Sequence, residues 1–70
     1  MKEKDSEKIE KIAEDLRNIF IKTAIEKYED ASIAGLCAVG AWEAAIDAIR
    51  TLNLKKILIE MNKENNQFNN

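Results

Sequence analysis

Few side chains in this sequence are suited to covalent or acid–base chemistry. The 70 residues include one cysteine, Cys37, and no histidine. A cysteine nucleophile needs a neighbouring base or cation to form its thiolate, so the missing histidine favours an inert Cys37, buried on a helix side rich in small residues. A zinc or haem site would also lack its usual ligands. We therefore predict no metal site and no cofactor.

Two carboxylates, Glu43 and Asp47, stand one helical turn apart, and Arg50 follows three positions later. Paired carboxylates can serve acid–base catalysis or bind a cation. No histidine, lysine or third carboxylate occupies the adjoining turns, and Asp47 can pair with Arg50 instead. We interpret this strip as a hydrated face or the rim of an interface, and we predict that the protein is not an enzyme.

Nucleic-acid binding is disfavoured by charge, because 11 basic and 13 acidic residues give a net charge of −2. The segment GLCAVGA, residues 35–41, has the wrong glycine spacing for a phosphate-binding loop. If Gly40 ended a short helix by adopting positive φ, residues 41–52 could form the second helix of a helix-turn-helix. Its outward side chains would then be mainly acidic, so DNA binding remains the weakest of the alternatives.

The first element that must position these residues is a helix over about residues 6–29, with Asp5 or Ser6 as its N-cap. Apolar positions recur at spacings of three and four, which is typical of a helix with one inward face. That face comprises Ile9, Ile12, Ala13, Leu16, Ile19, Phe20, Thr23 and the stem of Lys27.

A second apolar stripe on the same helix consists of Ile21, Ile25 and Tyr28. A lone helical hairpin cannot cover both stripes, so we expect the third helix or another copy of the chain to cover this one; a ligand or partner groove is the alternative. A tight connection is predicted between Lys27 and Ser32, where Asp30 and Ser32 favour turns and caps.

The central helix is predicted over residues 32–52 and has three sides. Small residues with a 4,3,4,3,4 spacing form what we call the alanine seam, namely Ala34, Ala38, Ala41, Ala45, Ala48 and Leu52, with Cys37 and Ala44 on its flank. Bulky residues on the other flank are Val39, Trp42, Ile46 and Ile49. The combined apolar arc is wider than one helix can cover, so it predicts two packing partners. Trp42 is suited to a core, a self-interface or a ligand wall.

A short third helix is predicted over residues 54–62, capped by Asn53 and dependent on docking for its stability. Residues 63–70 are polar and aperiodic, which predicts a disordered tail in which Phe68 is incidental or a short docking residue. Residues 1–4 are expected to fray. Residues 1–62 are predicted to form a single helical domain.

These patterns predict an all-α fold, an antiparallel helical hairpin plus a short third helix, that completes a helical bundle by self-association as a homodimer. No run of about 20 apolar residues suits a membrane span, and no signal peptide is expected, so we predict a cytoplasmic protein. The leading hypothesis is a small protein-interaction or regulatory protein, with itself and possibly another protein as partner. The alternative is a small-molecule-binding module with a pocket between helices near Trp42, Cys37, Tyr28 and Arg50. The candidate surface comprises Ile21, Ile25, Tyr28, Cys37, Trp42, Ile46, Ile49 and Arg50.

Overall fold

The computed structural model describes residues 3–66, and the side chains of residues 6–63. Three helices make up this part of the chain: α1 (Glu3–Ile33), α2 (Ala38–Arg50) and α3 (Leu54–Asn66). The predicted all-α class is confirmed, and α1 packs mainly against α2 as a helical hairpin.

The molecule is elongated along α1. Its extents are 49 × 21 × 15 Å, and the first of these matches α1, whose 31 residues span about 46 Å. α2 runs antiparallel to α1 and lies beside the C-terminal half of α1, where Trp42 lies beside Tyr28. The third helix follows further along α1, where Ile57 and Met61 lie beside Ile19. The α1–α2 hairpin has two broad faces, one on each side of the plane that contains both helix axes.

Gly35 ends α1. Its φ of +99° is in the left-handed region that glycine enters at no steric cost. Two backbone hydrogen bonds close the helix end, from the Leu36 N–H to the Ala31 carbonyl and from the Gly35 N–H to the Ser32 carbonyl, each 3.0 Å. This is the Schellman arrangement.

The predicted connection between Lys27 and Ser32 is therefore wrong, because the helix continues to Ile33 and the turn occupies residues 34–37. Asp30 and Ser32 disfavour a helix by only a few tenths of a kcal/mol. Ala31, which is 7% exposed, packs inside the hairpin and holds this last stretch of α1 in place.

Two other predicted boundaries are also wrong. The first helix begins at Glu3, so Asp5 and Ser6 lie within it; exposed first-turn N–H groups can bond water and need no side-chain cap. The second helix covers 38–50 rather than 32–52. Cys37 is its N-cap residue, with no side-chain capping bond, and Gly40 lies inside the helix. The alternative in which Gly40 breaks the helix is thus wrong, because the break falls at Gly35.

The start of α3 was predicted correctly, since the backbone N–H of Lys56 donates to Asn53 Oδ1 at 3.0 Å. The helix continues to Asn66, however, so the predicted tail is wrong for residues 63–66. This polar segment contains no glycine or proline that would break a helix, and adding residues to an established helix costs little free energy. Residues 67–70 of the predicted tail, which include Phe68, lie outside the described residues. So do residues 1 and 2, which were expected to fray.

The core is formed mainly by small side chains. Ala41 and Ala45 are 0% and 1% exposed, and Met61 is buried beside α1. The middle of the predicted alanine seam is thus confirmed, whereas Ala34 and Ala38 are exposed because they lie in the turn and at the start of α2. On α1 the predicted inward face is half-buried along most of its length, but Ala13 and Lys27 are exposed. Ile9, near the beginning of α1, is also exposed.

A core of this kind leaves much surface in water. The chain exposes 5842 Å², whereas a compact protein of 8.0 kDa exposes about 4,450 Å². The radius of gyration is 15.8 Å, compared with about 11 Å for a compact chain of this length. Roughly 1,400 Å² of surface is therefore exposed beyond what a compact fold would leave.

Candidate interaction surface

The candidate surface is the broad face of the α1–α2 hairpin on which Trp42 lies. We call this surface the Trp face and define it by six exposed apolar residues: Ile21, Ile25 and Tyr28 from α1, and Val39, Trp42 and Ile46 from α2. Their spacings of three and four place each set along one side of its helix. Because the two helices are antiparallel neighbours, the two sets form one strip that runs along the molecule.

A shallow groove lies at the centre of the Trp face. It has a volume of about 340 Å³ and is lined by Ala24, Ile25, Tyr28, Glu29 and Trp42. Ala24 forms its floor, since this small residue is half-buried between the helices. The indole of Trp42 is 58% exposed and forms one wall. Such a groove can receive an apolar side chain from another molecule.

The charges beside the Trp face are mainly acidic. Glu29 lines the groove, and Glu43 follows Trp42 on α2. Among the described side chains, neither carboxylate has a lysine or arginine within ion-pair distance, whereas Asp47 pairs with Arg50 at 3.8 Å. Both members of that pair are largely exposed, so its contribution to stability is small. The unpaired carboxylates give this face a negative rim.

Six of the eight residues predicted for the candidate surface lie on or beside the Trp face. Ile49 is at its edge and is half-buried, while Ile21, Ile25, Tyr28, Trp42 and Ile46 are exposed upon it. Arg50 lies on the outer side of α2 with Glu43 and Asp47. The predicted pocket that joined Trp42 to both Cys37 and Arg50 is therefore not formed.

The prediction of a buried Cys37 is wrong, because its thiol is exposed. Its sulfur lies 3.7 Å from the point that a Cβ on Gly40 would occupy, and Gly40 lies on the side of α2 opposite Trp42. The physical reason is the position of the helix boundary. Because α2 begins only at Ala38, Cys37 belongs to the connection and not to the packed side of a helix.

Of the two coverings expected for the stripe on α1, the third helix does not provide one among the described residues, and a second copy of the chain stays a prediction. Ile21 is 51% exposed and Ile25 is 54% exposed. The bulky side of α2 likewise lacks the second packing partner that its width predicts, and Val39 is 68% exposed. α3 meets α1 beside Ile19, nearer the N-terminus of α1 than α2, and leaves this stripe uncovered.

Two features of this region were missed by the sequence patterns. Glu29 was not singled out, although it follows Ile25 by four positions and so lies beside it on α1. The other is an uncovered apolar side of α3, where Leu54 is 41% exposed and Leu58 is 40% exposed. Only the contact of Ile57 and Met61 with α1 shows which part of the apolar side of α3 is covered.

Comparison with protein-family models, with curated proteins and with solved structures finds no match for this chain. Among residues 3–66, no helix is both long enough and apolar enough to cross a membrane.

Proposed function

We propose that this chain is a small non-enzymatic protein-interaction protein that acts through the Trp face, with a second copy of the chain as its first partner. The observation that supports the proposal is the strip of six large, exposed apolar residues on one side of the α1–α2 hairpin. Monomeric proteins rarely leave contiguous apolar patches of more than a few hundred Å² in water. Trp and Tyr are also the residue types most often found as anchors of interfaces.

The exposed area supports an interface of ordinary size. A stable protein–protein interface buries about 800 Å² on each partner. This chain as a whole exposes about 1,400 Å² more than a compact fold of its mass would, an excess spread along its length and not confined to the Trp face. A small domain with few buried residues also gains stability from self-association, since its own core supplies only a few kcal/mol.

The proposal is tested by Ile25→Lys, which puts a charge beside the groove at the centre of the Trp face. Ile25 is 54% exposed, and lysine suits a helix at least as well as isoleucine, so we expect the monomer to remain folded. Burial of the exposed half of this side chain is worth about 1 kcal/mol per copy. A symmetric dimer contains two copies, so its dissociation constant should rise by at least about 30-fold in sedimentation velocity experiments.

Ile9→Lys is the matched control. Ile9 is on the same helix and is 53% exposed, but it lies 16 positions, or about 24 Å, away from Ile25 along α1. We expect this control to leave the dissociation constant within about threefold of the native value. A dimer that tolerates Ile25→Lys as well as Ile9→Lys would show that the Trp face is not the interface.

A second candidate function, a small-molecule-binding module, is supported by the groove itself. Its volume of about 340 Å³ is at the lower end of the range for ligand sites, and Tyr28 and Trp42 provide aromatic walls. A ligand here should quench or blue-shift the fluorescence of Trp42 with a saturable dependence on ligand concentration. Screening nucleotides and common metabolites tests this function, and a screen without any saturable shift counts against it.

A further inference from the structure

One outer edge of the Trp face is formed by Lys22 and Glu29 of α1, and both side chains are exposed. Lys22 lies three positions before Ile25 and Glu29 lies four positions after it, so both are neighbours of that isoleucine on the helix surface. Each is also two positions, or about 200°, from an alanine that packs towards α2, namely Ala24 or Ala31. The charged edge of α1 therefore lies on the side away from α2.

The other outer edge repeats this arrangement on α2. Glu43 lies three positions before Ile46 and Arg50 lies four positions after it, and all three line one groove. Glu43 is two positions from Ala41, which is 0% exposed, so this edge lies on the side of α2 away from α1. Each edge of the Trp face thus has an isoleucine between a cation and a carboxylate.

The two edges have the same polarity along the molecule. Glu29 and Glu43 are nearer the turn that joins α1 to α2, whereas Lys22 and Arg50 are seven residues, or about 10 Å, further from it. The Trp face therefore has an acidic end and a basic end. Of these four side chains, only Arg50 has an ion pair within the described part of the chain, and its partner Asp47 is largely exposed. All four charges are available to a second molecule.

We infer that the occupant of the Trp face is the Trp face of a second copy turned end to end, so that Lys22 pairs with Glu29 of the second copy and Arg50 with Glu43 of the second copy. The inference rests on the proposed function and names the surface that the second copy presents. A two-fold axis that crosses the helices lays each helix antiparallel to the same helix of the other copy. The acidic end of each face then meets the basic end of the other, and such complementarity fixes the orientation of a complex.

The opposite orientation places like charges together. A two-fold axis parallel to the helices would lay α1 of one copy on α2 of the other without reversing the faces, so acidic end would meet acidic end. In that arrangement Glu29 approaches Glu43 of the second copy, and Lys22 approaches Arg50. Like charges that face each other across an interface disfavour it, so the charge pattern selects the end-to-end orientation.

Reversal of the charges on the α1 edge tests the inference. Lys22→Glu and Glu29→Lys each place like charges together at two reciprocal contacts. We expect each variant to raise the dimer dissociation constant about fivefold or more in sedimentation velocity experiments at low salt. The double variant restores opposite charges at both contacts and has the net charge of the native chain, so its dissociation constant should return to within about twofold of the native value.

Glu10→Lys is the matched control. Glu10 is exposed on the same helix, and its substitution changes the net charge as Glu29→Lys does. It lies 19 positions, or about 28 Å, from Glu29 along α1. We expect this control to leave the dissociation constant within about twofold of the native value, and circular dichroism shows whether each variant is folded.

Mixing provides a second measurement that does not depend on the double variant. A Lys22→Glu chain and a Glu29→Lys chain form a heterodimer with opposite charges at both contacts, whereas each homodimer has like charges at both. We expect analytical ultracentrifugation and native mass spectrometry of the mixture to show a heterodimer at least about tenfold tighter than either homodimer.

The outcomes separate this inference from the proposed function. A dimer that Glu29→Lys tightens, that the double variant and the mixture fail to restore, or that Glu10→Lys weakens equally overturns the end-to-end orientation. If Ile25→Lys still weakens the dimer in that case, the Trp face remains the interface and the second copy lies on it in another orientation. A native chain that stays monomeric at micromolar concentration overturns both.

Discussion

Substitution of Ala41 by leucine tests how closely α1 and α2 are packed. Ala41 is 0% exposed, so a leucine at this position has no solvent into which its three additional carbon atoms can extend. The helices must move apart or the leucine must leave its preferred rotamer. Overpacking of this kind costs about 1 to 3 kcal/mol.

That cost is large for this protein. A chain of 70 residues has a free energy of unfolding of about 3 to 10 kcal/mol, and 1 kcal/mol shifts the melting temperature of so small a domain by about 4 to 8 °C. Ala41→Leu should therefore lower Tm by roughly 5 to 20 °C, measured by circular dichroism at 222 nm. Native and variant chains are compared at one concentration, because self-association makes Tm depend on concentration.

The matched control is Ala38→Leu, a change at another position of the alanine seam. Ala38 is exposed at the start of α2, so leucine there extends into water, and we expect the free energy of unfolding to change by no more than about 0.5 kcal/mol. The contrast between the two sites distinguishes this structure from a seam packed along its full length. Equal effects of the two substitutions, or no effect of Ala41→Leu, would refute the proposed packing of the hairpin.

Three further predictions concern the two glycines and the cap of α3. Gly35→Ala should destabilise the fold by about 1 kcal/mol. Nothing lies within 4 Å of the added Cβ, so the whole cost is the backbone strain of holding alanine at a φ of +99°. Gly40→Ala should have the opposite sign, stabilising by up to about 1 kcal/mol in urea denaturation, because its Cβ meets Leu36 at an ordinary 3.5 Å and alanine favours a helix. Asn53→Ala should lower the free energy of unfolding by about 1 kcal/mol because it removes the α3 cap, whereas Asn53→Asp should retain the cap. Urea denaturation measures both variants. An Asn53→Ala chain as stable as the native chain would contradict the assigned cap.

The all-α class and the helical hairpin could be predicted because the periodicity of apolar residues is a local property. The same holds for the cap at Asn53 and for the small residues of α2, since two of these, Ala41 and Ala45, are the most deeply buried residues among the described side chains. Each of these features depends on side chains within one or two helical turns.

The connection between α1 and α2 could not be located by the same means. Asp30 and Ser32 favour turns, and Gly35 favours left-handed backbone, so the sequence contains two competing signals five positions apart. The outcome depends on burial of Ala31 against α2, which is a tertiary effect. The exposure of Cys37 follows from this boundary and was missed for the same reason.

The candidate surface could be predicted as a set of residues but not as an arrangement. Helical spacing identifies Ile21, Ile25 and Tyr28 as a stripe, and Trp42 with Ile46 as another. That the two stripes lie on one face depends on the relative rotation of α1 and α2, which the packing of Ala41 and Ala45 determines. Arg50 was included in the candidate surface as a cation, although its helical spacing groups it with Glu43 and Asp47, and it lies with them on the outer side of α2.

Sedimentation equilibrium of the native chain is the measurement that tests the central claim most directly. At chain concentrations from about 1 to 100 μM, an interface of standard size predicts a concentration-dependent mass that approaches twice 8.0 kDa. The same samples should show Trp42 emission shifting to shorter wavelength as the dimer forms, because burial removes the indole from water. A folded chain that keeps a mass of 8.0 kDa at every concentration, with unchanged Trp42 emission, would contradict the account.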